Sequence, residues 1–213
     1  MKLSKSCSMG IAMARRGYPS ASSKRRAEDE RKAKDQERCA KFKEFKAIDD
    51  AYRIGDLDAL LDALGNPTGF PNCLHPWGAG LSDFPLEHAI YWSPLVFIQT
   101  LLEHGADPNS PVRDGFPSLI AALSADREDR LDVVRLLLSF GADVQQRGVN
   151  DWTPLHYAVS LDDATAVTLL LARGADSNVR TRIDDCGTPL EEAEKFGRRR
   201  AFDALKKSSS RRA

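Results

Sequence analysis

Apolar residues form short clusters at helical spacing along the chain, and polar turns separate the clusters. Three leucine-rich clusters, residues 97–102, 133–138 and 167–171, are each followed by the same triplet, Gly-Ala-Asp, which starts at Gly105, Gly141 and Gly174. Apolar positions at this spacing predict amphipathic helices. A glycine at the end of each predicts the left-handed turn that terminates a helix.

A shorter helix with proline at its start precedes each of these clusters, and a fourth copy follows the last triplet. The copies begin at Phe84-Pro85, Phe116-Pro117, Thr153-Pro154 and Thr188-Pro189. Proline is tolerated in the first turn of a helix, and a preceding threonine can cap it. The chain therefore repeats a helix-turn-helix unit, whose leucines are buried only when units stack.

The segment Thr153-Pro154-Leu155-His156-Tyr157-Ala158, followed by a leucine-rich helix and Gly174-Ala175-Asp176, resembles the ankyrin repeat. The resemblance covers residues 45–207 as about five repeats, of which the first and last are partial. It implies an all-α solenoid of stacked units joined by hairpin loops, without a cofactor. It also implies that His156 makes a structural hydrogen bond inside its repeat. Two segments depart from the pattern: residues 65–81 and a four-residue insertion around 124–130. Such segments are either functional loops or insertions that the fold tolerates.

In proteins of this family a partner contacts the concave groove, formed by the ends of the inner helices, and the hairpin tips. Matching unit by unit puts the groove pairs at Arg53/Ile54, Tyr91/Trp92, Leu123/Ser124, Ser160/Leu161 and Lys195/Phe196. Aromatic residues dominate interface hot spots, although Trp92 has the alternative of filling space beside residues 65–81. The predicted partner-binding residues are Tyr91, Trp92, Asp83, Arg113, Asn150, Trp152, Leu161, Asp184 and Asp185.

Residues 27–44 carry closely interleaved charges of both signs and predict a helical extension outside the repeats. Pairs such as Glu28/Lys32 and Glu30/Lys34 have the favourable spacing and order for ion pairs along a helix. An apolar stripe then begins, and we expect it to dock on the first repeat. Its members are Phe42, Phe45, Ile48, Ala51 and Tyr52.

Residues 1–26 hold seven basic residues and no acidic ones. This composition fits a disordered basic tail, additional residues before a later start, or an organelle transit peptide. Residues 208–213 form a short basic C-terminal tail. The formal net charge of the whole chain is zero, so we expect contact with nucleic acid or an anionic membrane only through residues 1–26.

Candidate chemistry is sparse in this sequence. The four cysteines form no Cys-x-x-Cys pair, and Cys73 with His75 lacks the further ligands of a zinc site. No phosphate-binding loop or nucleophile motif occurs. We therefore expect a monomeric, cytoplasmic, non-enzymatic module without metal or small-molecule substrate that binds another protein as scaffold, adaptor or inhibitor. The alternative is a carrier whose basic N-terminal tail binds nucleic acid or membrane, or an organelle-targeted protein if that tail is a transit segment.

Overall fold

The computed structural model describes residues 21–74, 84–111, 115–183 and 186–209, which form ten α-helices and no strand. The helices are α1 Ala21–Ile54, α2 Leu57–Leu64, α3 Pro85–Trp92, α4 Leu95–Glu103, α5 Ser118–Ser124, α6 Arg130–Ser139, α7 Pro154–Ser160, α8 Ala164–Ala172, α9 Pro189–Lys195 and α10 Arg199–Ser209. A 3₁₀ turn at Val149–Asp151 precedes α7. Within the described residues, no helix has the length and apolarity to cross a bilayer. The predicted all-α fold is confirmed.

The helices alternate between two layers. The inner layer contains α3, α5, α7 and α9, with α3 packed on α5, α5 on α7 and α7 on α9. The end of α1 contacts α3, since the ring of Tyr52 lies 4.4 Å from that of His88. The outer layer contains α4, α6, α8 and α10, with α4 packed on α6 and α8 on α10. Each inner helix from α3 onward also packs on the outer helix that follows it. The result is the predicted stack of helix-turn-helix units.

Proline marks the start of the inner helices as predicted, with one exception. Pro85, Pro154 and Pro189 are the first residues of α3, α7 and α9. In the third unit the helix begins one residue later, at Ser118, and Pro117 is the capping residue outside it. The third inner helix is therefore shifted by one position relative to its proline.

Leucines of the outer helices form the core between units. Leu101, Leu137 and Leu170 are completely buried, as is Leu155 of the inner helix α7. Their burial depends on neighbouring units, because a single helix pair leaves one side of its leucines in water. The core is therefore continuous along the stack.

The chain divides into two units between Lys43 and Glu44, and this boundary falls within the range of α1. In the first unit, ion pairs join Glu28 to Lys32 at 3.0 Å and Glu37 to Lys41 at 2.8 Å, and the first of these pairs was predicted.

The predicted docking stripe at the end of α1 is only partly correct. Ile48, Ala51 and Tyr52 are buried in the second unit, but Phe42 is 65% exposed and Phe45 44% exposed. Nine residues separate Phe42 from Ala51. That separation is two and a half helical turns, which places the two side chains on opposite faces. The docked face therefore begins at Ile48.

Asparagine side chains tie successive hairpins together. Asn72 donates from Nδ2 to the carbonyl of Gly105 at 2.8 Å and accepts from the backbone N–H of Asp107 at 2.8 Å. Asn109 repeats the pattern one unit later, on Gly141 at 3.0 Å and Asp143 at 2.7 Å. We call this pair of hydrogen bonds the asparagine clamp. The described part of the irregular 65–81 segment therefore has a structural role, since it supplies Asn72.

The four-residue insertion in the third unit is also ordered by hydrogen bonds. Arg127, whose side chain is 13% exposed, holds Asp129 with two hydrogen bonds of 2.5 and 2.8 Å. Its third contact, from Nη1 to the carbonyl of Ile90 in α3, is 2.8 Å. Arg130, at the end of the insertion, forms an ion pair with Asp163 at the start of α8. The insertion therefore packs back onto the units before and after it.

Candidate protein-binding surface

The last residues of the inner helices form one row along the stack. Capping positions set the equivalence between units: Phe84, Pro117, Thr153 and Thr188 are the residues just before α3, α5, α7 and α9. Because α5 is shifted by one, its pair is Ser124/Ala125, and the predicted pair Leu123/Ser124 is wrong in register. Leu123 is 1% exposed and faces the core. The row is Arg53/Ile54, Tyr91/Trp92, Ser124/Ala125, Ser160/Leu161 and Lys195/Phe196.

Trp92 is a solvent-facing member of this row. It is 51% exposed, and the guanidinium of Arg53 lies over its ring, 5.0 Å from the ring centre. Asp49 holds Arg53 in that position through a hydrogen bond of 2.8 Å. An arginine over the face of a tryptophan is attracted by the negative ring face. The geometry favours a surface role for Trp92 over the alternative of filling space.

Tyr91 is half-buried, and its hydroxyl lies 3.0 Å from Oγ of Ser124 in the next unit. Ser124 already donates its only proton to the carbonyl of Ala121 at 2.9 Å. The Tyr91 hydroxyl is therefore the donor in the bond to Ser124. Its hydroxyl proton therefore serves the contact between units.

Three aromatic side chains meet on the inner surface of the third and fourth units. The ring of Tyr157 lies 6.2 Å from that of Trp152 and 6.3 Å from that of Phe116, both in edge-on geometry. All three are half-buried, and we call them the aromatic patch. Leu161, 44% exposed, lies one helical turn beyond Tyr157 on the same face. The sequence predicted Trp152 and Leu161 but missed Phe116 and Tyr157.

The missed residues had a signal in the sequence. Tyr157 directly follows the Thr-Pro-Leu-His motif and precedes Ser160 and Leu161 by three and four residues. That spacing puts it on the same helix face as the predicted groove pair. Phe116 directly precedes Pro117, which is the capping residue of α5. Because Phe116-Pro117 was matched with Thr153-Pro154, Phe116 was assigned to the capping position, one residue away from its observed place.

The hairpin that carries Trp152 is held rigidly at its tip. Asp151, whose side chain is 10% exposed, accepts hydrogen bonds from Arg147 at 2.5 Å and from the side chain and backbone N–H of Arg182 at 2.6 Å each. The hydrogen bond from Arg182 holds the pKa of the Asp151 carboxyl below its ordinary value. Asn150 is exposed at this tip with a φ of 55°. The tip therefore presents Asn150 and Trp152 from a fixed backbone.

Glycine is required at the base of this hairpin. A Cβ at Gly148 would lie 2.4 Å from the carbonyl oxygen of Gly115. The next residue, Val149, donates its N–H to that same carbonyl at 2.6 Å. The backbones of two successive hairpins thus touch directly, which fixes the aromatic patch relative to the preceding unit.

His156, in the first turn of α7, is completely buried. Its Nδ1 accepts from the backbone N–H of Thr153 at 3.3 Å and lies 2.9 Å from the hydroxyl of that residue. Its Nε2 lies 3.4 Å from the carbonyl of Gly187. This pattern describes a neutral ring with its proton on Nε2, and burial lowers the pKa of His156 to about 4. The structural role that the resemblance implied for His156 is confirmed.

Four predicted binding residues, Asp83, Arg113, Asp184 and Asp185, lie outside the described residues, and so does His75. The same is true of residues 1–20, so the hypothesis of a nucleic-acid- or membrane-binding N-terminal tail stays a prediction. Among the described residues, no group of three or more His, Cys, Asp or Glu side chains is arranged to hold a metal ion.

Comparison with known proteins agrees with the geometry. A family model described as ankyrin repeats (3 copies) matches residues 95–181 and 119–209, which together are more than half of the chain. Similar proteins include protein phosphatase 1 regulatory subunit 27 from Mus musculus, 43% identical over 35% of this chain and 49% of that protein. Alpha-latrocrustotoxin-Lt1a from Latrodectus tredecimguttatus is 35% identical over 45% of this chain but only 7% of its own length.

A third relative, RelA-associated inhibitor from Mus musculus, is 28% identical over 46% of this chain and 12% of that protein. The chain thus spans less than two thirds of the length of each of these relatives. The likeness lies in the repeats, which in this family generally form a non-catalytic interaction module. The chain belongs to the ankyrin-repeat family.

Proposed function

We propose that this protein is a non-catalytic adaptor or inhibitor that binds a segment of another protein across the aromatic patch and Leu161. The observation that carries the proposal is the contact among Phe116, Trp152 and Tyr157 on the inner surface, where each ring keeps part of its area in water. Aromatic side chains of this kind supply much of the binding energy in protein interfaces.

The patch is suited to binding because it is already ordered. Trp152 is fixed by the hydrogen bonds of its hairpin, whose Gly148 N–H donates to the carbonyl of Trp152 at 2.9 Å. Asp151 adds its bonds to Arg147 and Arg182. A rigid surface loses little conformational entropy when a partner binds. Asp184 and Asp185, which lie outside the described residues, would add an attraction for a basic partner segment.

The similar proteins support the general class of function. One bears the name protein phosphatase 1 regulatory subunit 27 and another the name RelA-associated inhibitor. Both names refer to a second protein. We propose the same class of function for this chain, but not the same partners.

A site-specific crosslinking experiment tests the proposal. A photoreactive residue is placed at Leu161, on the inner surface, or at Thr168, which is exposed on the outer helix α8. Each protein is irradiated in a lysate of the source organism, and captured partners are identified by mass spectrometry. We expect capture of a specific protein from position 161 and not from position 168.

Variants show whether the aromatic patch is responsible. Trp152→Ala/Tyr157→Ala should weaken binding of the captured protein by about thirtyfold, as expected for loss of a hot spot of about 2 kcal/mol. Phe140→Ala removes an exposed aromatic residue at the end of α6 and should leave binding unchanged. Circular dichroism establishes that all variants are folded. Equal capture from both positions, or unchanged binding by the double variant, would refute the proposal.

A further inference from the structure

The first repeat is acidic. Residues 45–64, which include the end of α1 and all of α2, hold five aspartates, one lysine and one arginine. The arginine, Arg53, is already bound to Asp49. The other four aspartates are exposed, namely Asp50, Asp56, Asp58 and Asp62. This end of the stack therefore presents a negative surface.

The last repeat is basic. Six exposed cations lie on the last residue of α9, on the turn that follows it and on α10. They are Lys195, Arg198, Arg199, Arg200, Lys206 and Lys207. The same repeat holds four acids within residues 186–209, namely Glu191, Glu192, Glu194 and Asp203. Glu191 is already bound by Arg180 from the preceding unit, and the cations outnumber the acids. The two ends of the stack thus carry opposite charge.

Both ends also keep partly exposed apolar surface. On the last repeat, a depression of about 400 Å³ between α9 and α10 is lined by Phe202, Ala193 and Gly197 together with Glu194, Arg199 and Asp203. On the first repeat, Leu57 and Leu61 of α2 are half-buried. In a stack of repeats, a terminal unit has one face that a further unit would otherwise cover.

We propose that the acidic first repeat of one molecule binds the basic last repeat of a second copy, so that the chain self-associates head to tail. Pairing of two first repeats, or of two last repeats, would bring like charges together, which disfavours a symmetric dimer. A head-to-tail contact joins unlike ends and extends into rings or open chains. The sequence predicted a monomer, and we now expect association at low ionic strength. The proposal does not depend on the aromatic patch.

Reversal of charge at each end, measured by sedimentation velocity, tests the proposal. One variant is Asp58→Lys/Asp62→Lys and the other is Arg199→Glu/Arg200→Glu. Glutamates in the first turn of α10 favour the helix, so loss of association by the second variant would not come from unfolding. We expect each variant alone to associate at least about tenfold more weakly than the unmodified chain at about 0.01 M salt, where charges act over about 30 Å.

An equimolar mixture of the two variants should associate again, because it presents the intact basic end of one to the intact acidic end of the other. Two control variants carry the same charge changes outside the first and last repeats: Asp126→Lys/Glu128→Lys in the third-unit insertion, and Arg25→Glu/Arg26→Glu in α1. Both should associate like the unmodified chain, and about 0.5 M salt should dissociate all forms.

Three outcomes would overturn the proposal. One is an unmodified chain that stays monomeric at low salt. Another is a mixture of the two end variants that fails to associate. The third is loss of association by the Arg25→Glu/Arg26→Glu control while the Arg199→Glu/Arg200→Glu variant still associates. That result would identify the N-terminal basic residues, and not α10, as the partner of the acidic end.

Discussion

Replacement of Gln145 by asparagine should stabilise the stack, because it would complete the asparagine clamp between the third and fourth hairpins. Gln145 occupies the position of Asn109, two residues after the aspartate of a Gly-Ala-Asp triplet. The backbone is the same at both positions: the N–H of each residue donates to that aspartate at 2.8 Å. The longer glutamine side chain instead leaves its Oε1 buried without a hydrogen-bond partner.

The gain in free energy of unfolding follows from the hydrogen bonds that asparagine would form at position 145. Asparagine at 145 would accept from the backbone N–H of Asp176 and donate to the carbonyl of Gly174, by analogy with Asn109 on Asp143 and Gly141. Each such bond contributes about 0.5–1.5 kcal/mol net, and removal of a buried unsatisfied oxygen contributes in the same direction. The free energy of unfolding should therefore rise by about 1–3 kcal/mol.

Urea denaturation followed by circular dichroism measures this change, with Gln36→Asn, at an exposed position of α1, as the control for composition. The reciprocal variant Asn109→Gln should lose a similar free energy. If Gln145→Asn were no more stable than the unmodified protein while Asn109→Gln was destabilised, the clamp would not transfer between units and the reasoning would be refuted.

Three further predictions concern the core, the buried histidine and the hairpin tip. Leu170→Ala should cost about 2–5 kcal/mol in urea denaturation, because Leu170 is fully buried between units; a cost below 1 kcal/mol would contradict that packing. The folded protein holds the pKa of His156 at about 4, below the ordinary 6.5, so the unfolded chain takes up the proton first. Stability should thus be fully present above pH 6.5 and fall by up to about 3 kcal/mol as the pH drops toward 4, and His156→Gln should flatten that part of the pH profile. Asp151→Asn should cost about 1–3 kcal/mol by weakening the bonds from Arg147 and Arg182, whereas Asp132→Asn, on an exposed ion pair, should change the urea midpoint little.

Features that repeat in the sequence were predictable, since the same physical requirement recurs in each unit. The Gly-Ala-Asp triplets and the proline-initiated helices identified every inner and outer helix from α3 to α9. Burial of Leu137, Leu155 and Leu170 followed from the need of each unit for a neighbour.

Features that depend on one unit alone were not predictable. The shift of α5 by one residue arises because Pro117 caps the helix instead of beginning it, and either position is compatible with proline. Phe42 and Phe45 are as apolar as Ile48, and only the orientation of α1 decides which of them is buried. The contacts of Asn72 and Arg127 reach across the stack to Gly105 and Ile90, which no local pattern encodes.

The four-residue insertion has a consequence for protein engineering. Arg127 anchors that turn to Ile90 and Asp129, while its neighbours Asp126 and Glu128 point into water. A foreign peptide grafted beside Glu128 would therefore extend from a turn that has already accommodated added length. The hairpin around Gly148 offers no such tolerance, since its backbone rests directly on that of Gly115. Reporter tags and affinity epitopes are therefore best inserted in this turn between α5 and α6, where they leave the hairpins intact.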